Sequence, residues 1–183
     1  VIDTATNAVT GPLTVGAGPS GIAFDSANNR MYVTNFADGT VSVIDTATNA
    51  VTATITVGTG PADIAFDSAN NRMYVTNFAD DTVSVIDTAT NAVTGPLTVG
   101  AGAYGIAFDS ANNRMYVANN TDGTVSVIDT ATNAVTGPLT VGAGPSGIAF
   151  DSANNRMYVT NFADGTVSVI DTATNAVTAT ITV

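Results

Sequence analysis

"MYVTNFADGTVSVIDTATNAV" occupies residues 31–51. The string returns from Met73, Met115 and Met157 with at most three changes. "VIDTATNAV" begins at Val1, Val43, Val85, Val127 and Val169, so the period is 42 residues (43 − 1). Residues 1–57 and 127–183 are identical, an offset of three periods. Self-similarity at this length marks a repeat architecture, in which one unit cannot bury its own apolar face and must stack on its neighbours. Such close copying reports recent duplication or design and carries no information about functional constraint.

One period resolves into four short extended runs separated by turn signals. "GIAFD" at Gly21–Asp25 is followed by "SANN", where Asn tolerates the left-handed conformation and Asp caps its own backbone. "RMYVTN" at Arg30–Asn35 leads into "FADG", whose Asp38-Gly39 pair is a hairpin signal. "TVSVID" at Thr40–Asp45 is followed by "TATN" and then by the fourth run, Ala50–Val57. The runs are rich in Val, Ile, Thr, Tyr and Phe, which suit a pleated surface. Helix formers other than Ala are nearly missing, which argues against helical repeats of similar period.

The fourth run places itself. Three of its five copies contain Gly-Pro, at Pro12, Pro96 and Pro138. Proline cannot donate to a sheet ladder, so this strand is the outer edge of its sheet. Four antiparallel strands per period, the last at an edge, make the blade of a propeller. The expected fold is therefore an all-β β-propeller of near-identical 42-residue four-stranded antiparallel blades. The expected blades span 16–57, 58–99, 100–141 and 142–183. Residues 1–15 are expected to be a partial blade, the end of a third strand plus an outer strand. The absence of an initiator Met suggests a segment of a longer blade array. The alternative is that the partial blade completes a blade in another chain by strand exchange.

Fifteen acidic residues, all Asp, face four arginines, for a net charge of −11. Glu, Lys, His, Cys and Trp are absent. That balance excludes nucleic acid and anionic membrane surfaces, which need basic groups. No apolar run approaches the ~20 residues of a membrane span, so no membrane insertion is expected. Without Cys there is no disulfide and no indication of redox compartment.

The "MYVTN" core makes a family likeness specific. "GIAFDSANNRMYVTNFADGTVSVIDTATNAVTATITVG" resembles the YVTN-type β-propeller repeat of archaeal surface-layer and bacterial extracellular or periplasmic proteins. Every period carries the resemblance; one departs from it, reading "YVAN" at Tyr116–Asn119. The resemblance implies a propeller placed outside the cytoplasm, at the cell surface. It implies no single activity, because propellers host many.

Chemistry has little to work with. No nucleophile–base pair is available, and an Asp-only enzyme needs paired carboxylates or a metal. Asp25, Asp38 and Asp45 recur in every blade at turns, where capping explains them. Calcium is the alternative use of these carboxylates, although no D-x-D-x-D-G loop is present; no other cofactor is expected. The arginines at 30, 72, 114 and 156 are expected to pair with turn carboxylates. The tyrosines at 32, 74, 116 and 158 are expected to pack between blades with their hydroxyls partnered.

Differences between copies say more. "DSANN" and "DTATN" never change, whereas the inter-blade loop and the second turn do. In an up-and-down blade the changing loops share one face. The candidate partner-contact residues on it are Asp63, Asp81, Tyr104, Asn120 and Thr121, since loops on a rigid scaffold commonly bind. Asn119-Asn120-Thr121 is the one N-x-[ST] sequon, making Asn119 a candidate glycosylation site. These features together predict a non-enzymatic extracellular structural or interaction protein. Its expected partners are other protein chains, copies of itself as a homo-oligomer, or surface glycans. The alternatives are a ligand- or Ca-binding propeller and, by fold analogy, a lactonase- or quinoprotein-like enzyme. An engineered repeat is a further alternative.

Overall fold

The computed structural model describes residues 1, 2, 5, 6, 8, 9 and 11–183. Among them, sixteen strands form four antiparallel four-stranded sheets and no helix occurs. The first sheet is β1 (Pro19–Asp25), β2 (Arg30–Asn35), β3 (Thr40–Asp45) and β4 (Ala50–Thr56), hydrogen-bonded in chain order. The second is β5 (Pro61–Asp67), β6 (Arg72–Asn77), β7 (Thr82–Asp87) and β8 (Val93–Thr98). The third is β9 (Ala103–Asp109), β10 (Arg114–Asn119), β11 (Thr124–Asp129) and β12 (Val135–Thr140). The fourth is β13 (Pro145–Asp151), β14 (Arg156–Asn161), β15 (Thr166–Asp171) and β16 (Ala176–Thr182). This is the blade order of a propeller. The partial blade expected of residues 1–15 falls in part outside the described residues; Ile2 and Val9 form an antiparallel bridge there.

The first strand of each blade begins earlier than the sequence suggests, at Pro19 rather than Gly21. A register shift between Pro19 and Ile22 lets Pro19 pair with Asn35, which extends the ladder past the bulge. The turns are built as their residues require. Asp25 Oδ1 accepts from the backbone N–H groups of Ala27 (3.0 Å) and Asn28 (3.1 Å), and Asn29 closes the turn at φ 52°. Asp45 does the same for Ala47 and Thr48, with Asn49 at φ 55°. Asn is among the few residues that visit this region at low cost.

The apolar core lies between blades rather than within them. Tyr32, Val41, Val43 and Ile55 of the first sheet pack against Ile64, Met73, Val75 and Ile86 of the second. The same two half-faces recur between the second and third sheets and between the third and fourth. The innermost strands follow one another, β1 on β5, β5 on β9 and β9 on β13. No comparable packing returns from β13 to β1 among the described residues.

Polar groups fasten each joint. Asn70 Nδ2 donates to Thr130 Oγ1 at 3.2 Å, Arg72 Nη1 to the Thr130 carbonyl at 3.2 Å, and the Tyr74 hydroxyl to Asn133 Oδ1 at 2.8 Å. Tyr32, Tyr74 and Tyr116 therefore act as the sequence suggests, with their hydroxyls bonded to Asn91, Asn133 and Asn175. The arginines do not: Arg30, Arg72 and Arg114 each spend their hydrogen bond on a backbone carbonyl of the next blade, at Thr88, Thr130 and Thr172. The turn carboxylates take their hydrogen bonds from their own turns, and the arginines act on Asp45, Asp87 and Asp129 through charge alone.

Candidate functional site

A cleft of about 570 Å³ opens where the innermost strands begin, on the face of the changing loops. Each blade contributes: Ser20 and Gly21, Ala62 and Asp63, Tyr104 and Gly105, Ser146 and Gly147. Phe78, Asn120 and Phe162, from the turns after the second strands, complete its wall.

Of the five candidate contact residues, Asp63, Tyr104 and Asn120 meet in this cleft. Asp63 stands where the other blades have Gly21, Gly105 and Gly147. Its Oδ1 accepts from Ile64 N–H at 2.9 Å, and its Oδ2 from Ile106 N–H of the third blade at 3.1 Å. Burial pushes the Asp63 carboxyl above the ordinary carboxylate value, against the pull of those two N–H groups. Tyr104 packs edge-on to Phe78 with ring centroids 5.9 Å apart, and Phe78 in turn lies 6.4 Å from Phe36. Asn120 Nδ2 donates to the Pro145 carbonyl of the fourth blade at 3.0 Å.

Asp81 and Thr121 do not line the cleft. They flank the loop that carries Tyr104. Asp81 takes the place of Gly39, Gly123 and Gly165, adopts φ 57°, and accepts from Gly102 N–H at 2.7 Å. Thr121 N–H donates to the Ala101 carbonyl at 3.1 Å. A side chain on Gly102 would meet Thr121 Oγ1 at 2.5 Å, so the loop packs against this turn with no room to spare.

The changes also compensate one another. Thr34 and Thr76 hydroxyls donate to the Ala62 and Tyr104 carbonyls of the next blade, at 3.2 and 2.6 Å. The third blade has Ala118 at that position and loses the hydroxyl. Its Asn120 makes the crossing bond instead, so "YVANN" is a repaired joint.

The expectation of a glycan at Asn119 is corrected by the fold. Asn119 is fully buried, and its Nδ2, the atom a glycan would use, donates to Thr124 Oγ1 and Ser126 Oγ at 2.9 Å each. Asn35, Asn77 and Asn161 make the same pair of bonds in the other blades. The side chain has a structural post in every repeat. Among the described residues no three carboxylates gather at one point. Both oxygens of Asp25 are taken by its turn, Oδ2 by Asn28 Nδ2 at 2.8 Å.

Sequence reading missed the phenylalanines. Phe36 and Phe162 are exposed, and Phe162 is 86 % exposed. The signal that was available is their place: first residue of a turn on the changing face, directly after the buried Asn.

The comparisons with known proteins agree with the architecture. No curated protein matches the chain. A solved structure of hydrazine synthase from Kuenenia stuttgartiensis superposes with a TM-score of 0.84 at 23% identity, covering 95% of this chain and 51% of that one. The chain thus spans about half the length of that structure, and the likeness is one of fold. A repeat family of unknown function, DUF6923, matches residues 3–146, which is most of the sequence. The chain belongs to the DUF6923 repeat family.

Proposed function

We propose that this is a non-enzymatic structural or interaction protein of the cell surface, a component of a surface layer, sheath, filament or adhesin. Its blades are a scaffold, and its contacts are made through the face of the changing loops. One observation carries this reading: the polar side chains that recur in every blade are spent on turns and joints. The turn carboxylates hold backbone N–H groups, the arginines hold carbonyls and the buried asparagines hold hydroxyls. A chain built this way devotes its chemistry to being rigid. The YVTN-type resemblance and the acidic, lysine-free composition support a place outside the cytoplasm. The test is antibody labelling of intact against permeabilised source cells. Labelling of intact cells is expected; labelling only after permeabilisation overturns the reading.

A second reading has its own observation. The cleft places the Phe78 and Tyr104 rings beside Asn120 and Phe162. Aromatic faces next to amide donors suit the apolar face and hydroxyl edge of a sugar. On this reading the contact made at the surface is with a glycan. Calorimetric titration with neutral oligosaccharides tests it: heat that disappears in Tyr104→Ser supports it, and no heat from any of them overturns it.

A further inference from the structure

Asp63 is a half-buried carboxylate with no cation beside it among the described residues. Two backbone N–H groups reach it, from Ile64 and from Ile106 of the third blade, and neither brings a full charge. Burial raises its pKa in spite of them, as it does for a carboxylate without a counter-ion. A Cβ at Gly21 would stand 2.9 Å from Asp63 Oδ1, so glycine there leaves room for the carboxylate in the wall of the cleft. The charge is not matched further out. Asp38, Asp63, Asp80, Asp81, Asp122 and Asp164 all lie on the face of the changing loops. The arginines open the second strands at the opposite ends of the sheets, where Arg72 pairs in register with Asp67 and Asp87. The cleft thus opens on a face with carboxylates and no arginine, and a field of that sign concentrates cations.

Aromatic rings stand beside this carboxylate. Thr76 Oγ1 accepts from the Asp63 N–H at 3.0 Å and donates to the Tyr104 carbonyl at 2.6 Å, which ties the two residues across the joint. Tyr104 and Phe78 meet edge to face at 5.9 Å and both line the cleft. Tyr104 is 42 % exposed, so much of its ring is free for a ligand. An aromatic face attracts a cation through its quadrupole, the more so where water is excluded. Asp63, Phe78 and Tyr104 belong to the second and third blades, each of which is packed on both sides.

We infer that the cleft binds a quaternary ammonium group, its charge against Asp63 and its methyl surface on Tyr104 and Phe78. Each Asp63 oxygen already accepts a hydrogen bond, so the site offers charge and ring surface more than fresh acceptors. An ammonium with several N–H groups would leave some of them unsatisfied there, at a cost. A methylated one has none to satisfy, and it brings the two things the cleft can hold, a diffuse positive charge and apolar surface. The inference does not rest on the glycan reading of the same cleft, which neutral oligosaccharides test separately.

The experiment is an NMR titration of the 183-residue chain at constant ionic strength, following the Tyr104 and Phe78 ring signals. The probes are choline chloride and dimethylbutanol, the neutral isostere in which carbon replaces nitrogen. Choline is expected to shift both rings saturably, and the alcohol to bind about tenfold more weakly. Asp63→Asn is expected to weaken choline about tenfold and to leave the alcohol unchanged. Asp63→Gly installs the residue that the other three blades have there, and it repeats the test should the asparagine variant lose its β circular-dichroism spectrum. Phosphatidylcholine vesicles separate the two sources of the group. Choline binding without vesicle retention supports a soluble ion, and retention that Asp63→Gly abolishes supports a lipid headgroup. Choline that shifts neither ring overturns the inference, and so does an alcohol that binds equally well. Choline binding undiminished in the folded Asp63 variants also overturns it, since the attraction would then lie in the net charge of the face.

Discussion

Tyr74 and Asn133 stand 59 residues apart in the chain and meet across the joint between the second and third blades, hydroxyl to side-chain oxygen at 2.8 Å. The tyrosine sits mid-strand in a fully buried position, and the asparagine sits in a turn at φ 60°. One bond thus ties the β-period of one blade to the turn chemistry of the next. Tyr74→Phe keeps the ring and removes the bond, leaving Asn133 without its donor. We expect a loss of about 1 kcal/mol in urea unfolding. Tyr158→Phe in the 183-residue chain removes a hydroxyl that faces no following blade among the described residues, and we expect it to cost much less. Equal losses would show that the joint is not the source.

The same tyrosines set the alkaline limit. Burial pushes the Tyr32, Tyr74 and Tyr116 phenols above their ordinary value of 10.0, against a smaller lowering by their neighbouring arginines. A group whose folded pKa is raised contributes stability that is whole below its unfolded pKa and is lost as pH rises through the folded one. Stability is therefore expected to fall as pH rises above about 10. Spectrophotometric titration should show these three tyrosines ionising later than a free phenol, together with unfolding. Ionisation of all tyrosines at the free value in a folded chain would contradict this.

The acid limit belongs to the turns. Side-chain and backbone hydrogen bonds from Thr90 hold the Asp87 carboxyl below its ordinary value of 3.8, and Thr132 does the same for Asp129. With a lowered folded pKa, this stability is present above the unfolded pKa and lost as pH falls through the folded one. Thr90→Val removes the hydroxyl donor at 2.8 Å. We expect the Asp87 titration, followed by NMR, to move up toward 3.8 while that of Asp129 stays in place.

Asp81 separates backbone strain from side-chain fastening. It occupies a position with φ 57° that three other blades fill with glycine. Asp81→Ala loses the bond to Gly102 and keeps a side chain in the left-handed region, where an ordinary residue costs about 1–2 kcal/mol. Asp81→Gly loses the same bond and relieves the strain. We expect the alanine variant to melt lower than the glycine variant. Equal melting temperatures would place the whole effect in the hydrogen bond.

Asn119 should behave as a core residue. Expression in a host that glycosylates N-x-[ST] sequons is expected to leave the intact mass unchanged. Asn119→Ala removes the amide that donates to both the Thr124 and Ser126 hydroxyls and leaves a space in the core, a loss of about 1–3 kcal/mol in urea unfolding. A glycosylated, folded product would overturn the burial argument.

The sequon shows where sequence reading stops. Its three letters were legible, and so was its turn, but the direction of the Asn119 side chain depends on Thr124 and Ser126 across the sheet. The arginines failed for the same reason, because their acceptor is a carbonyl 58 residues away. Strands, turns and the outer edge were legible because they rest on local rules: β-branched runs, Asn and Asp at left-handed positions, proline at an edge. The candidate face was legible in part. Asp63, Tyr104 and Asn120 were found through differences between copies, whereas Phe78 and Phe162 were hidden by their sameness.

The sequence by itself determined the repeat, the blade and the need for neighbours, since all three follow from periodicity and residue chemistry along the chain. Only the tertiary structure decided what the variable residues do. Asp63 and Asn120 bridge adjacent blades, and Asp81 and Thr121 brace a loop. Those outcomes depend on how one sheet face meets the next, and contacts tens of residues apart leave no periodic mark on the chain that makes them.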